Sequence, residues 1–516
     1  MITAARYPIT GPLSVIAIGV ATFICLPLLY VGYLALSAAP ALWLRLWNTR
    51  IPELLWNTAS LAAGVAAATL VLGLSLAWIV VRYEFPGRRI WEWVLVLPLA
   101  MPTYVLAYVY AYVMGPGGPA PLLSPQSYAG VTLVMALDTF PFVYLLARAA
   151  LLNFNVSFEE VARSCGATPI KTLFRVTLPL LRPAVVAGLS LVILYVVSDF
   201  GAVSLLRFQT LTYGVYQQLT GRYDHSAASV LSLLLVVFAF AFLIAERWFR
   251  HRSRFYQTTG RYRAPERRRC GTLGSLSATA YVGSIFAVSF GVPLWFLLAW
   301  SGDAIAQGAL DSRFVGYVWN STLLSGLAAT GAVVIGIPLA YLASRYPSRL
   351  NLLCLQAAHT GYVLPGPVAA FAVLALFAQV APLLYGTIVV LIVAYIVHFL
   401  PAGLQSMEPA IQQITPNLEE AARSLGLGLV QTLRKVTLPL VRTGLIVALV
   451  LMFLQSMKEL PAKLLLRPVG FDTLAVRVWL EASEEYYQMA APSALLIVLM
   501  SLPALWLLVS KDWRAA

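Results

Sequence analysis

The sequence has little charge and no recurring cysteine pattern. Only 11% of its 516 residues are Asp, Glu, Lys or Arg, whereas 60% are hydrophobic. A water-soluble fold of this length needs more polar surface, so the composition indicates an integral membrane protein. The four cysteines form no CxxC pair, which argues against a disulfide framework or a zinc site.

Two common catalytic patterns are also missing. The chain contains no Gly-Lys dipeptide, and therefore no GxxxxGK[ST] phosphate-binding loop, and it contains no HExxH. We find no nucleophile–base pair or metal-ligand constellation either. We therefore expect a protein that is not an enzyme and binds no cofactor itself. If ATP drives its activity, the ATP and Mg²⁺ bind to a separate protein.

Long apolar runs dominate what is present. Twelve runs approach or exceed the roughly 20 residues that a transmembrane helix needs. They lie near 12–37, 55–81, 91–114, 128–152, 183–206, 226–248, 274–300, 319–343, 353–380, 385–407, 443–466 and 488–510. They predict an all-α polytopic membrane protein with 12 transmembrane helices. The first run is longer than the core of a secretory signal, which favours a span over a cleaved leader.

The basic residues predict how these helices are oriented. Of the 35 lysines and arginines, 26 fall in segments on the same side as the two termini. Basic residues collect on the cytoplasmic side of bacterial membranes, so both termini are expected in the cytoplasm.

The chain repeats itself. Trp56-Asn57-Thr58 recurs as Trp319-Asn320-Ser321, and Arg82-Tyr83 recurs as Arg345-Tyr346. Six spans per copy place both copies in the same orientation about a pseudo-twofold axis along the membrane normal. We predict an N-terminal half at 1–246, a basic cytoplasmic linker at 247–270 and a C-terminal half at 271–516. The linker suits contact with anionic lipid rather than nucleic acid, since it carries no recognisable fold.

The strongest repetition lies in a polar loop. Residues 159–183 match residues 419–443 at 14 of 25 positions. Ser157 with Glu160, and Asn417 with Glu420, suit a helix N-cap with an acid three residues later. A glycine at the end of each short helix permits a sharp turn. Thr168 and Pro169 suit a second helix start, and the prolines at 179 and 439 are expected to stop or kink the helix at those positions.

This loop resembles the EAA loop of binding-protein-dependent ABC importer permeases. The second copy carries Glu419, Glu420, Ala421, Ala422 and Gly426, and the first carries Glu159, Glu160, Ala162 and Gly166, with valine in place of the middle alanine. The resemblance implies that each loop is a coupling helix that docks into a cytoplasmic ATPase. It therefore implies a homodimeric ATPase partner, a periplasmic substrate-binding protein and the bacterial inner membrane.

A second set of runs resembles the ferric-iron branch of that family, which also fuses two six-span halves. These runs begin at Lys458 (KELPAKLLLRPVGFDTLAVRVW) and Ser198 (SDFGAVSLLRFQTLTYGVY). The resemblance implies import of ferric iron. Thiamine is the nearest alternative substrate, followed by polyamine, sulfate or phosphonate. A 12-helix secondary transporter is the alternative of another class.

Ionisable residues inside spans are costly and point to function. A shift of 260 residues maps Asp138 onto His398 and Asp199 onto Glu459, so we predict that these four line a substrate pathway. Asp199 and Glu459 are the candidate iron ligands. The alternatives are that Asp199 and Glu459 are solvated at the outer surface, that Lys458 neutralises Glu459 locally, and that Asp138 and His398 only bond to neighbouring helices.

Overall fold

The computed structural model describes residues 12–251, 267–269, 271–308, 310 and 312–515. Most of the predicted linker, 252–266 and 270, lies outside the described residues. Within them the protein is almost entirely helical, and the one strand pair is β1 (Tyr83–Glu84) with β2 (Arg268–Arg269), two residues each. The predicted all-α polytopic fold is confirmed.

The first half contains twelve helices. They are α1 Pro12–Leu36, α2 Pro40–Thr49, α3 Ile51–Arg82, α4 Arg88–Val94, α5 Thr103–Met114, α6 Tyr128–Leu152, α7 Ser157–Ser164, α8 Pro169–Thr172, α9 Leu178–Ser198, α10 Gly201–Leu205, α11 Leu211–Thr220 and α12 His225–His251. A 3-10 turn lies at Leu97–Ala100 and a π-helical turn at Leu173–Thr177.

The second half repeats this order. Its helices are α13 Thr272–Phe286, α14 Val292–Ala306, α15 Ser312–Arg345, α16 Arg349–His359, α17 Gly366–Val380, α18 Ile388–Gln412, α19 Pro416–Ser424, α20 Leu429–Thr432, α21 Leu438–Lys458, α22 Pro461–Leu466, α23 Leu474–Ser483 and α24 Tyr487–Ala515. The 3-10 turns are Thr360–Val363 and Pro382–Leu384, and the π-helical turns are Ala287–Gly291 and Leu433–Thr437. From α3 and α15 onward, each helix has a counterpart in the other half. The boundaries 1–246 and 271–516 stay a prediction.

Nine helical segments among the described residues are long and apolar enough to span a membrane, and α4 with α5 makes a tenth if that bent pair is one span. Two shorter apolar helices lie at Gly366–Val380 and Tyr487–Pro503. The protein is therefore a multi-pass membrane protein, and the exact number of twelve spans stays a prediction.

The third predicted span of each half is broken rather than continuous. In the first half the chain turns by 93° between Arg88–Ala100 and Thr103–Met114. The residue before a proline is driven out of the α region by the proline ring. Met101 before Pro102, and Leu364 before Pro365, accordingly have extended backbones with ψ of 130° and 121°.

The first helix of each half packs on the other half. Ala17, Ala21 and Ile24 of α1 are buried in one apolar cluster with residues of α15, α16 and α18. Conversely, Val282 of α13 is buried in a cluster formed by α3 and α6. The largest apolar cluster contains residues of both halves, so the halves share one core.

The repeated Trp-Asn-Thr/Ser motif fixes the loop that precedes α11 and α23. Asn57 donates to the backbone oxygen of Gln209 over 2.9 Å, and Asn320 donates to that of Asp472 over 2.9 Å. The next hydroxyl in each motif accepts from a helix-start amide, Leu211 to Thr58 at 3.0 Å and Leu474 to Ser321 at 2.8 Å. The motif therefore recurs because the same two hydrogen bonds are made twice.

We expect Thr58→Val to remove the acceptor of the Leu211 amide while keeping the side-chain volume. A buried N–H left without an acceptor costs about 1–3 kcal/mol, so hydrogen exchange at Leu211 should accelerate at least fivefold. The Leu474 amide in the other half serves as the internal control. Ser321→Ala should give the converse pattern, and equal exchange at both amides in both variants would contradict the assignment.

Candidate coupling elbows and substrate pathway

Each half carries a helix–turn–helix elbow at the same end of the bundle. The first elbow comprises residues 157–178 and the second comprises residues 416–438. Gly166 has φ +83° and Gly426 has φ +88°, and an added Cβ at either position meets nothing within 4 Å. The turn therefore requires glycine for its left-handed backbone, not for space, which confirms the predicted bend.

A buried glutamate ties each elbow to the long helix of its own half. Glu159 is 5% exposed and accepts from Arg82 at the end of α3 over 2.5 Å, and from Thr177 over 2.8 Å. Glu419 is 2% exposed and accepts from Arg345 over 3.0 Å and from Thr437 over 2.9 Å.

The second elbow has one anchor that the first lacks. Tyr341 of α15 donates to Glu419 over 2.9 Å. The equivalent position in α3 is Trp78, whose ring lies 4.9 Å from the Arg82 guanidinium. A buried carboxylate is costly unless it is paired and hydrogen-bonded, so both arrangements satisfy the charge.

The remaining predicted elbow residues differ in their exposure to solvent. Glu160, Glu420 and Ala421 are exposed, Ala162 is half-buried, and Ala422 is buried under the elbow. The two adjacent glutamates of each elbow therefore differ. The first is a buried anchor, and the second is exposed.

Two details of the predicted elbow are wrong. Helix α19 starts at Pro416 after Thr415, so Asn417 lies inside the first turn and does not cap it. Helix α7 starts at Ser157, whose amide donates to Asn155 Oδ1 over 3.1 Å. The asparagine two residues earlier thus accepts the first helical amide, and the N-cap residue Val156 makes no side-chain cap bond.

The predicted start of the second helix is confirmed. The predicted stop of the helix at Pro179 is not. Thr168 accepts from the Lys171 amide over 3.4 Å, and Pro169 opens α8. Pro179 does not end the helix, because a π-helical turn at Leu173–Thr177 joins α8 to α9. The extra residue in a π turn shifts the hydrogen-bonding register by one, which suits a following residue without an N–H.

The predicted pathway residues Asp199 and Glu459 occupy matching breaks in their helices. Asp199 follows α9 with ψ 133°, and Glu459 follows α21 with ψ 135°. Each carboxylate then accepts an amide of the next short helix, Ala202 to Asp199 at 3.0 Å and Ala462 to Glu459 at 2.8 Å. Both residues are only 8% exposed, so the alternative that they are solvated is wrong.

In each half, the break in the fifth span contacts the break in the third span. Thr103 at the start of α5 donates to Asp199 over 2.6 Å. Gly366 takes the place of Thr103 at the start of α17, and a Cβ there meets Glu459 at 3.4 Å and Pro461 at 3.0 Å. A longer acid in one half is thus matched by a smaller neighbour. Irregular backbone of this kind occurs in membranes only where it lines a cavity or packs on protein.

Asp138 and His398, which occupy equivalent positions in the two halves, have different surroundings. Asp138 is 1% exposed, lies beside Tyr195, and interacts electrostatically with Asp199 and Lys458. His398 is half-buried with its ring 4.5 Å from that of Phe399. No hydrogen bond or ion pair joins Asp138 to His398 among the described residues.

Of two lysines near these carboxylates, Lys463 was not predicted to have a role and Lys458 was considered only as a local partner that neutralises Glu459. Lys458 of α21 crosses between halves and donates to the Leu99 carbonyl over 2.7 Å. Lys463 is fully buried near Glu459, and its Nζ donates to the carbonyls of Ser456 and Met457 over 3.0 Å each. The signal was available, since both lysines interrupt an apolar run. Within the described residues, no three His, Cys, Asp or Glu side chains are grouped to hold a metal ion.

Fold and elbows together define a multi-pass permease with two related halves. The chain belongs to the family described as binding-protein-dependent transport system inner membrane component, whose model matches residues 69–255 and again 332–510. It is 31% identical over 500 residues to the Fe(3+)-transport system permease protein FbpB 2 of Haemophilus influenzae, covering 96% of this chain and 97% of that one.

Other relatives are named for the transport of ferric iron or of sulfate. The ferric transport system permease protein FbpB of Actinobacillus pleuropneumoniae is 23% identical, over 88% of this chain and 70% of that one. The sulfate transport system permease protein CysT of Escherichia coli is 28% identical, over 42% of this chain and 83% of its own length.

Replacing the buried anchor should release the elbow. We expect Glu159→Gln to weaken the Arg82 pairing by roughly 3 kcal/mol. Amide exchange across 157–172 should then accelerate about a hundredfold. Glu160→Gln, at the exposed neighbour, is the matched control and should leave protection unchanged. Equal protection in both variants would show that the ion pair does not hold the elbow.

The glycine turn should depend on backbone conformation alone. Gly426→Ala is expected to cost about 1–2 kcal/mol because a Cβ disfavours the left-handed region. Gly426→Asn should recover about half of that loss, since asparagine tolerates positive φ. Exchange rates of the α19 and α20 amides measure both effects. Equal rates for the two variants would mean that the added volume, not the backbone, causes the loss.

Proposed function

We propose that the chain is the permease subunit of an ATP-driven importer that carries ferric iron across the bacterial inner membrane. The observation that carries this proposal is the pair of elbows, each tied by a buried ion pair to the long helix of its half. Such an elbow transmits force from outside the membrane to the spans, because it cannot move without α3 or α15.

The elbows also present exposed apolar side chains in the described part of the chain. Exposed side chains of this kind mark interaction sites. They are Phe158, Val161, Ile170 and Phe174 in the first elbow, and Leu418, Leu425 and Val430 in the second. Two elbows related by a pseudo-twofold axis suit a partner that is itself a dimer. We assign that partner as a homodimeric cytoplasmic ATPase, which binds the ATP and Mg²⁺, while this chain binds no cofactor.

This assignment places the elbow end of the bundle and both termini in the cytoplasm, in agreement with the distribution of basic residues. The opposite end then faces a periplasmic substrate-binding protein. There α11 of one half meets α23 of the other, with the Tyr216 and Trp479 rings 6.0 Å apart. Arg222 is exposed on this surface, whereas Arg477 is paired with Glu481.

Iron is favoured by the chemistry of the helix breaks and by the names of the most extensive relatives. Ferric ion is a hard cation that takes oxygen ligands. The breaks supply the Asp199 and Glu459 carboxylates, and Asp138 of α6 interacts electrostatically with Asp199. A conducting pathway needs sites weak enough to release the ion. The binding protein, rather than the permease, then carries the tight site.

Uptake by cells that express the complete transporter tests the substrate. We expect radiolabelled ferric iron to enter, with no entry when the ATPase carries an inactivating P-loop substitution. Entry of thiamine instead would reassign the substrate and keep the permease class. Uptake that survives the ATPase variant and depends on an ion gradient would favour a secondary transporter.

The elbow tips should govern ATPase binding. We expect Phe158→Asp together with Leu418→Asp to reduce co-purification of the ATPase at least tenfold, because two buried apolar contacts are replaced by charges. Both changes lie in the first turn of a helix, where an acid does not oppose helix formation.

Val469→Asp is the matched control, since Val469 is a fully exposed aliphatic residue between α22 and α23. It should leave the recovered ATPase unchanged. The docking assignment fails if the elbow double variant recovers as much ATPase as the control.

A further inference from the structure

A cavity of about 190 Å³ lies beneath the first elbow. This is well above the roughly 10–15 Å³ that one water molecule needs. Its lining combines basic and apolar side chains with a single carboxylate. Arg82, Arg163, Arg268 and Glu159 are its charged members, and Trp78, Ile170 and Leu173 are its main apolar ones. Glu159 already neutralises Arg82, so two positive charges remain.

The duplicated elbow shows what is unusual here. In the second elbow, Arg423 donates to the hydroxyls of Tyr341 and Tyr346 and lies 3.7 Å from Glu419. Its counterpart Arg163 makes no hydrogen bond or ion pair within the described part of the chain. Trp78 stands where the second half has Tyr341 and offers no acceptor, and Tyr83, the counterpart of Tyr346, lines the cavity without a bond to Arg163 among the described residues.

A buried donor also faces this cavity without a partner. Arg82 is 7% exposed, and its Nε has no hydrogen-bond acceptor. Unpaired buried donors are rare in native proteins, since each costs about 1–3 kcal/mol. The Arg82 Nε and the exposed Arg163 guanidinium are therefore both available to an added acceptor.

The third arginine comes from the end of the predicted linker. Strand β2 pairs in parallel with β1, Tyr83 opposite Arg268, and places Arg268 on the cavity wall. The second elbow lies beside Tyr346, the equivalent of Tyr83, and has no such strand among the described residues. The basic cavity thus depends on a segment that occurs once in the chain.

We propose that this cavity is a binding site for a phosphate-type oxyanion, held by Arg82, Arg163 and Arg268. Guanidinium groups match phosphate oxygens with paired, charge-assisted hydrogen bonds. The apolar wall and a tryptophan at the end of a spanning helix suit the headgroup of a phospholipid. Free phosphate offers the same oxygens without the acyl chains.

Native mass spectrometry of the purified full-length chain, titrated with dioleoyl phosphatidylglycerol, tests the site. Dioleoylglycerol, which lacks the phosphate, is the control lipid, and inorganic phosphate is titrated in a separate arm by calorimetry. We expect Arg163→Ala with Arg268→Ala to weaken phosphatidylglycerol binding about tenfold or more. Arg269→Ala, in the same strand but outside the cavity lining, should bind like the unaltered chain.

Trp78→Tyr provides a variant that keeps all three arginines. A tyrosine there gives Arg163 a hydroxyl equivalent to that of Tyr341, which accepts from Arg423. Binding of phosphatidylglycerol should therefore fall about tenfold, with the thermal midpoint unchanged. Arginine-dependent binding of inorganic phosphate alone would support the site and assign its ligand as free phosphate. The proposal is overturned if neither probe binds, or if the double variant and Trp78→Tyr both bind like Arg269→Ala. None of these measurements depends on transport or on an ATPase.

Discussion

A carboxylate buried against a guanidinium at the root of each elbow is the contact on which the architecture depends. Glu159 and Glu419 each close a triangle with an arginine at the end of a long helix and a threonine eighteen residues later. The triangle fixes the short helix, the π-helical turn and the spanning helix relative to one another. Because a buried charge tolerates little displacement of its partner, the elbow and α3 or α15 move as one body.

The two halves satisfy equivalent requirements with different residues. Where the first half has Thr103, Asp199 and Gly201, the second has Gly366, Glu459 and Pro461. One extra methylene in the acid is offset by the loss of a side chain opposite it. The charges do not repeat in the same way, since Lys458 and Lys463 belong to the second half alone and Lys458 bonds to a carbonyl of the first.

Much of this fold was predictable from periodicity and repetition. Helix α6 coincides with its predicted run of 128–152 because the run is predominantly apolar and Ser127 caps its start. The bend in the third span was not predicted, because Pro102 and Pro365 lie inside runs whose hydropathy hides the break. The elbow glycines were found because they recur. Their anchors Arg82 and Arg345 were seen only as repeat markers, since their partners lie 77 and 74 residues away.

The exchange of first helices between halves has a consequence for biogenesis. Three buried residues of α1 complete their packing only against helices that begin at residue 312 or later. During synthesis, this face of α1 therefore lacks its packing partners until most of the second half has been inserted. A chain truncated before α15 therefore leaves that face of α1 in contact with lipid or with another protein.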